Sequence, residues 1–189
     1  CGTTYRGCSP ACPKDQAERL VLIQGDLTDT DSINRAVSKS HPDEVYHVAD
    51  QDHVGWSFST PQLSVDITYG GTIAVLEAVR TIWDHARVYI PLSATMFGDA
   101  DPSQCETTPL NPLSPYAVAK VACYHAVNYY RQAYKMCVST VTLFTHDSIR
   151  RGSDYLLHKI CKGAVEISLG KKDKLPVGDL SVDLDIGYA

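Results

Sequence analysis

Tyr116 and Lys120, within Ser114-Pro115-Tyr116-Ala117-Val118-Ala119-Lys120, stand four residues apart, so on a helix they are neighbours on one face. An ammonium beside a phenol favours the phenolate, which lets a tyrosine take or return a proton well below its ordinary value of about 10. The same spacing also occurs on plain surface helices, so the pair gains its meaning from the elements that would position it.

Those elements alternate. Leu20 to Gln24, Glu44 to Ala49 and Arg87 to Leu92 are short apolar runs bounded by turn residues, the pattern of strands buried on both sheet faces. Asp31 to Ser40 reads as a short helix capped by Asp29 or Asp31 and ended by Pro42. From Pro61 to Trp83 apolar residues recur at helical spacing, with Gly70-Gly71 admitting a close backbone approach. Ser114 as cap and Pro115 at the first position start the longest helix, which runs to Tyr134. Met136 to Phe144 reads as a strand and Asp154 to Leu169 as a helix stopped by Gly170.

Alternating strands and helices predict an α/β fold with a doubly wound parallel sheet. Ligands of such sheets sit at the carboxyl ends of strands. Gly25-Asp26, Ala49-Asp50, Ser93-Ala94 and Thr145-His146 all follow predicted strands, so they are expected to meet in one crevice.

At 189 residues the chain suits one domain with a substantial core. A net charge of -5 gives no general attraction to phosphates, and nucleic acid is not an expected partner. No apolar run approaches the ~20 residues of a membrane span. Seven cysteines (Cys1, Cys8, Cys12, Cys105, Cys123, Cys137 and Cys161) are odd in number and lack paired spacing, which suits thiols in a reducing, cytoplasmic setting. Cys1, Cys8 and Cys12 lack a well-spaced fourth ligand, so no metal is expected. Opening on a cysteine within a strand-like segment and closing on Gly187-Tyr188-Ala189, the chain reads as part of a longer polypeptide.

Several blocks carry a resemblance. They are Gly25 to Asp29, Pro42 to Tyr46 leading into Gln51 to Val54, Leu76 to Arg80, Glu106 to Pro109 running into Ser114 to Lys120, Val127 to Tyr129, and Leu143 to Ser148 with Arg150 to Gly152. In order and spacing they resemble the extended short-chain dehydrogenase/reductases, and among them the GDP-mannose 4,6-dehydratase family. The resemblance implies a Rossmann-like, NADP-binding domain over residues 1–150 and the start of a small substrate-binding region over 151–189. The family's first strand and Gly-rich turn, whose helix N-terminus holds a pyrophosphate, have no counterpart in this chain. Cys1 to Arg6 would be the second strand.

By the same resemblance Arg6 falls near the 2'-phosphate of NADP, although a solvated strand-end charge is an equal reading. Asp26 and Leu27 would lie beside the adenine, with a turn carboxylate as the alternative for Asp26. Val48 and Ala49 would pack along the dinucleotide, and Tyr116 and Lys120 would contact the nicotinamide ribose. His146 would lie close to the nicotinamide. Arg151, with Arg150, would reach cofactor or a neighbouring subunit, or be merely solvated.

The family reaction oxidises the sugar at C4, removes water across C5 and C6, and returns the hydride to C6. Ser93 would hydrogen-bond the C4 oxygen, Tyr116 would take the hydroxyl proton, and Lys120 would hold the phenol ionised. Other positions depart from the family pattern. Thr95 falls on the Glu that serves the elimination, Thr145 on an Asn that contacts substrate, and Leu184 on an Arg that binds the diphosphate. Asp50 and Asp52 replace a small residue and a Ser, placing carboxylates where repulsion of anionic ligands, or a substitute base at Asp50, is expected. His53 reads as a hydrogen-bonded structural histidine before a catalytic one, and Trp56 and Phe58 as core or subunit-contact aromatics.

Three functional readings follow. One is a nucleotide-sugar dehydratase with impaired or altered activity, another an epimerase or reductase of the same fold, and the third a non-catalytic subunit of a larger assembly. A homo-oligomer or a place in a larger complex is expected, and a free homo-oligomer would count against the third reading.

Overall fold

The computed structural model describes residues 19–153, 155–181, 183 and 185–189. The expectations placed on Arg6, Leu184, Cys1, Cys8 and Cys12 lie outside the described residues. Contacts divide the chain between Thr142 and Leu143 into two compact units.

In the first unit, helix α1 (Thr30–Ser40) starts where the Asp29 carboxylate accepts from the amides of Asp31 and Ser32. That settles the cap in favour of Asp29. It ends at His41, in the left-handed region at φ 41°, just before Pro42. Strand β1 (Glu44–Tyr46) follows, then α2 (Val54–Ser59), α3 (Pro61–Val65), a single π turn (Asp66–Gly70) and α4 (Gly71–Ile82). The helix expected from Pro61 to Trp83 is thus present as one continuous helical run to Ile82 with a π turn inside it, and a further short helix precedes it. Strand β2 (Arg87–Ser93) runs into a 3-10 turn (Ala94–Phe97), and α5 (Pro115–Tyr134) leads to β3 (Val138–Leu143).

The sheet order is β1-β2-β3. β1 and β2 are parallel, with Glu44 opposite Arg87 and Tyr46 opposite Tyr89, so both strands end on the same side. The expected strand from Leu20 to Gln24 is a correction: the segment is irregular and has no ladder partner among the described residues. Leu20, Val21 and Leu22 are all exposed, so the apolar run lacks the two-sided burial that its composition suggested.

The core lies between sheet and helices. Leu76 and Val79 of α4 are wholly buried with Ile90 of β2 and Val127 of α5. A smaller cluster of Leu92, Met96 and Cys123 sits beneath the carboxyl end of β2. Tyr130 donates to Glu77 at 2.6 Å and Arg80 clasps the same carboxylate at 2.7 and 3.0 Å, joining α5 to α4.

Two glycines are required by their surroundings. A Cβ on Gly71 would stand 3.0 Å from Leu27, so this residue provides the expected close approach, while Gly70 has open space around it. Gly98 has φ 63° and a Cβ there would collide with the Asn111 carbonyl.

The second unit holds β4 (Thr145–Asp147), α6 (Leu156–Ser168) and β5 (Ile186–Tyr188), with β4 and β5 parallel. α6 starts two residues later than expected, and Gly170 beyond it has φ 66°. Thr145 and His146 follow β3, as expected, but themselves form the start of β4.

Leu76 tests the core. Leu76→Ala should lower unfolding stability by about 2–5 kcal/mol, read as a reduced urea midpoint with unchanged slope.

Candidate active site

α5 is built as its sequence requires. The Ser114 hydroxyl accepts from the Ala117 amide at 3.1 Å and Pro115 occupies the first turn, where its missing N–H costs nothing. This start directs Tyr116 and Lys120 inward, each less than a tenth exposed. The Lys120 ammonium lies 5.6 Å from the Tyr116 ring centroid. Ser93 caps the 3-10 turn at the carboxyl end of β2, so hydroxyl, phenol and amine come together at the strand ends.

Ser93 Oγ accepts twice from Thr95, from its hydroxyl at 2.9 Å and its amide at 3.3 Å. The serine's own hydrogen is thereby left for the Tyr116 oxygen, and this hydrogen bond favours the phenolate. Other influences oppose it. Burial, first of all, and then the charge of Asp50 push the Tyr116 phenol well above the ordinary tyrosine range, with Asp52 adding to the effect. The expectation of a phenol held ionised by Lys120 is corrected accordingly.

The Lys120 ammonium, for its part, is engaged by other groups than the phenol. Its Nζ lies 2.7 Å from Asp50 Oδ2, with side-chain exposures of 7% and 12%, and it donates to the Pro91 carbonyl at 2.9 Å. Asp50 Oδ1 accepts from Thr68 Oγ1 at 2.5 Å and from the Gln51 amide at 2.8 Å. Asp50 is thus the fixed counter-ion of Lys120 rather than a loose carboxylate that repels ligands or abstracts protons. Sequence spacing offered no signal for this pair, because its partners are 70 positions apart and meet only through the sheet.

His47 faces the same pair and is buried. Burial, partly offset by Asp50, lowers it from 6.5 to about 4, so it is neutral at neutral pH.

Val48, 71% exposed, and Ala49 leave open surface after β1. Asp26 accepts from both the amide and the hydroxyl of Thr28 at 2.8 and 2.7 Å, the geometry of a turn carboxylate, and Leu27 packs on Gly71. His53 caps α2 through Nδ1, accepting from the Trp56 amide at 3.2 Å, and stacks on that indole. Trp56 and Phe58 are exposed, which removes the core reading for both. In the second unit His146 Nδ1 lies 2.9 Å from the Phe144 carbonyl, and the Arg151 guanidinium lies 3.6 Å over the Tyr155 ring.

An α/β fold with parallel strands, carrying serine, tyrosine and lysine at the strand ends, defines an extended short-chain dehydrogenase/reductase of the Rossmann type. A family model described as GDP-mannose 4,6 dehydratase matches residues 7–189, and the chain belongs to that family.

The GDP-mannose 4,6-dehydratase of Sinorhizobium fredii (strain HH103) is 39% identical over 178 residues, which are 93% of this chain and 51% of the relative. GDP-mannose 4,6 dehydratase 2 of Arabidopsis thaliana is 40% identical over 174 residues, 90% of this chain and 47% of the relative. The chain therefore spans about half the length of these curated relatives. Among solved structures, RMD from Pseudomonas aeruginosa complexed with NADPH superposes with a TM-score of 0.82 at 22% identity, covering 89% of this chain and 60% of that one. The UDP-glucose 4-epimerase of Thermus thermophilus in complex with NAD gives 0.80 at 24%, covering 98% and 60%. At such identities the likeness is one of fold.

The neutral His47 makes stability pH-dependent. Between pH 4 and 6.5 the unfolded chain binds more protons at this position than the folded one. The contribution is complete above pH 6.5 and is lost as pH falls to about 4, a span of about 3 kcal/mol. Urea titrations across this range should show the slope, and His47→Asn should flatten it.

Proposed function

We propose that the protein carrying this chain acts on a nucleotide sugar of the GDP-mannose type with NADP, as a 4,6-dehydratase-like lyase whose elimination step is impaired. The observation that carries the reading is the convergence of Ser93 and Tyr116 at the strand ends of a chain 39% identical to a GDP-mannose 4,6-dehydratase.

The residues present suit a dinucleotide in one respect that can be read directly: the exposed Val48-Ala49 surface after β1 would be covered by it. Asp26, Leu27, Val48, Ala49, Tyr116 and Lys120 of the first unit would hold it. When bound, the nicotinamide supplies the acceptor for the C4 hydride and the donor that returns it at C6.

Ser93 would hydrogen-bond the C4 oxygen and Tyr116 would take the C4 hydroxyl proton. Loss of water across C5 and C6 then requires a group that removes one proton and delivers another. Thr95 stands at that position, and a hydroxyl has no acidity near neutral pH to do so. Loss of such a positioned group lowers the rate by ~10²–10⁴. The four described cysteines are free thiols, which supports a reducing, cytoplasmic setting. No described helix is long and apolar enough to cross a membrane. A homo-oligomer or a larger complex belongs to the same reading.

The pairing of Lys120 with Asp50, together with Thr95, favours a second reading: a non-catalytic subunit that keeps the fold and the cofactor surface.

The complete protein, incubated with NADP and GDP-mannose, should give a small yield of the 4-keto-6-deoxy sugar by mass spectrometry. Thr95→Glu should move the partition between dehydrated and undehydrated sugar ~10²-fold toward the dehydrated product. Conversion by neither protein, with cofactor bound to both, would leave the non-catalytic reading in place of the enzyme.

A further inference from the structure

We propose that Asp50 is a positioning residue that withdraws the Lys120 ammonium from service to Tyr116, so that the phenol stays protonated through neutral pH. The inference deepens the reading of the site given above by naming what silences its tyrosine.

The geometry is that of a held pair. Lys120 Nζ is drawn between Asp50 Oδ2 at 2.7 Å and the Pro91 carbonyl at 2.9 Å. Asp50 cannot swing away easily, because its other oxygen is bonded by Thr68 from the π turn and by the Gln51 amide from its own loop. Thr68 is itself fixed, since its carbonyl accepts from the Thr72 hydroxyl at 2.7 Å and its residue is buried. The lysine charge therefore acts with an anion beside it, inside a site where water does not screen either group.

All the charged groups that face Tyr116 enter the balance. Asp50 and Asp52 come from the loop after β1, and Lys120 and the Cys123 thiol from the tyrosine's own helix. His47 faces Asp50 and Lys120 and is neutral. Asp50 and, to a lesser degree, Asp52 both work against an anionic phenol. With Asp50 made neutral, the stronger of these two influences is gone and Lys120 loses the anion paired with it. An opposite charge near a titrating group favours its charged form, so the phenol then becomes the stronger acid. No bond is made or broken in this effect.

The test reads the phenol itself, without cofactor or sugar, so its outcome is separable from whether the protein is a dehydratase. The chain is labelled with tyrosine carrying carbon-13 at Cζ, and Tyr116 is assigned by loss of its signal in Tyr116→Phe. Spectra are followed from about pH 7 to about pH 10.5, a range that brackets the ordinary tyrosine value. In the parent protein the Tyr116 signal should stay that of a phenol throughout. In Asp50→Asn, and in the smaller Asp50→Ser that admits water to the amine, it should titrate within the range. That corresponds to an acid constant raised at least about tenfold.

Circular dichroism confirms that each variant is folded. A folded Asp50 variant in which Tyr116 remains unionised like the parent would overturn the proposal. So would ionisation of Tyr116 anywhere within this range in the parent. Should neither variant fold, the parent titration decides alone.

Discussion

The ion pair between Lys120 and Asp50 is the constraint on which the site depends. It joins the loop after β1 to α5, and its hydrogen bonds extend to β2 through Pro91 and to the π turn through Thr68. Two buried charges lose their hydration, and the cost is recovered only when both are closely paired and their remaining bonding capacity is used. Here the two charges are 2.7 Å apart, and Pro91, Thr68 and the Gln51 amide add hydrogen bonds to them. Removing one partner from such a pair typically costs about 3–5 kcal/mol, so four elements are coupled through two side chains. A π turn within a run of helices is uncommon and often marks a functional position; here it carries the threonine that fixes the carboxylate.

What could be seen in the sequence was local. Ser114, Pro115 and the apolar periodicity behind them define α5 to the residue, because capping and proline geometry are decided within one turn. The strands from Glu44 and Arg87 were likewise legible as apolar runs, and they do pair in parallel. Leu20 to Gln24 shows the limit of that signal. Composition alone does not say whether a neighbouring strand exists to complete the ladder. The helix inferred from Pro61 is present as a continuous helical run to Ile82, and what the spacing did not disclose is the π turn at Asp66–Gly70 within it. Asp50 was legible as a departure but not as a counter-ion. Its role depends on a contact across 70 residues, which no local pattern in the sequence records.

The fold carries less functional information than these few atoms. Solved structures named as a 4,6-dehydratase and as a 4-epimerase superpose on this chain at TM-scores of 0.74 and 0.80, with only 22% and 24% identity. A scaffold shared so widely sets the place of the reacting groups and leaves the reaction to the side chains at the strand ends. Belonging to the dehydratase family narrows the choice by ancestry. Thr95 and Asp50 then bear on separate parts of the chemistry, the first on elimination and the second on proton removal at C4.

These two residues also act in opposite directions on one phenol. Thr95 gives its hydroxyl proton to Ser93, which turns the serine's hydrogen toward Tyr116 and favours the ionised form. A hydrogen bond to a charged group is worth about 1.5–3 kcal/mol. Burial, the larger influence, and the Asp50 carboxylate both work against the phenolate. The hydroxyl chain is therefore outweighed, and the direction of the balance at Tyr116 is set by how completely the site is shut from water and by which carboxylate stands beside the lysine. A tyrosine and a lysine at the spacing for redox chemistry are retained here, but the charge that would make the tyrosine a base is already engaged.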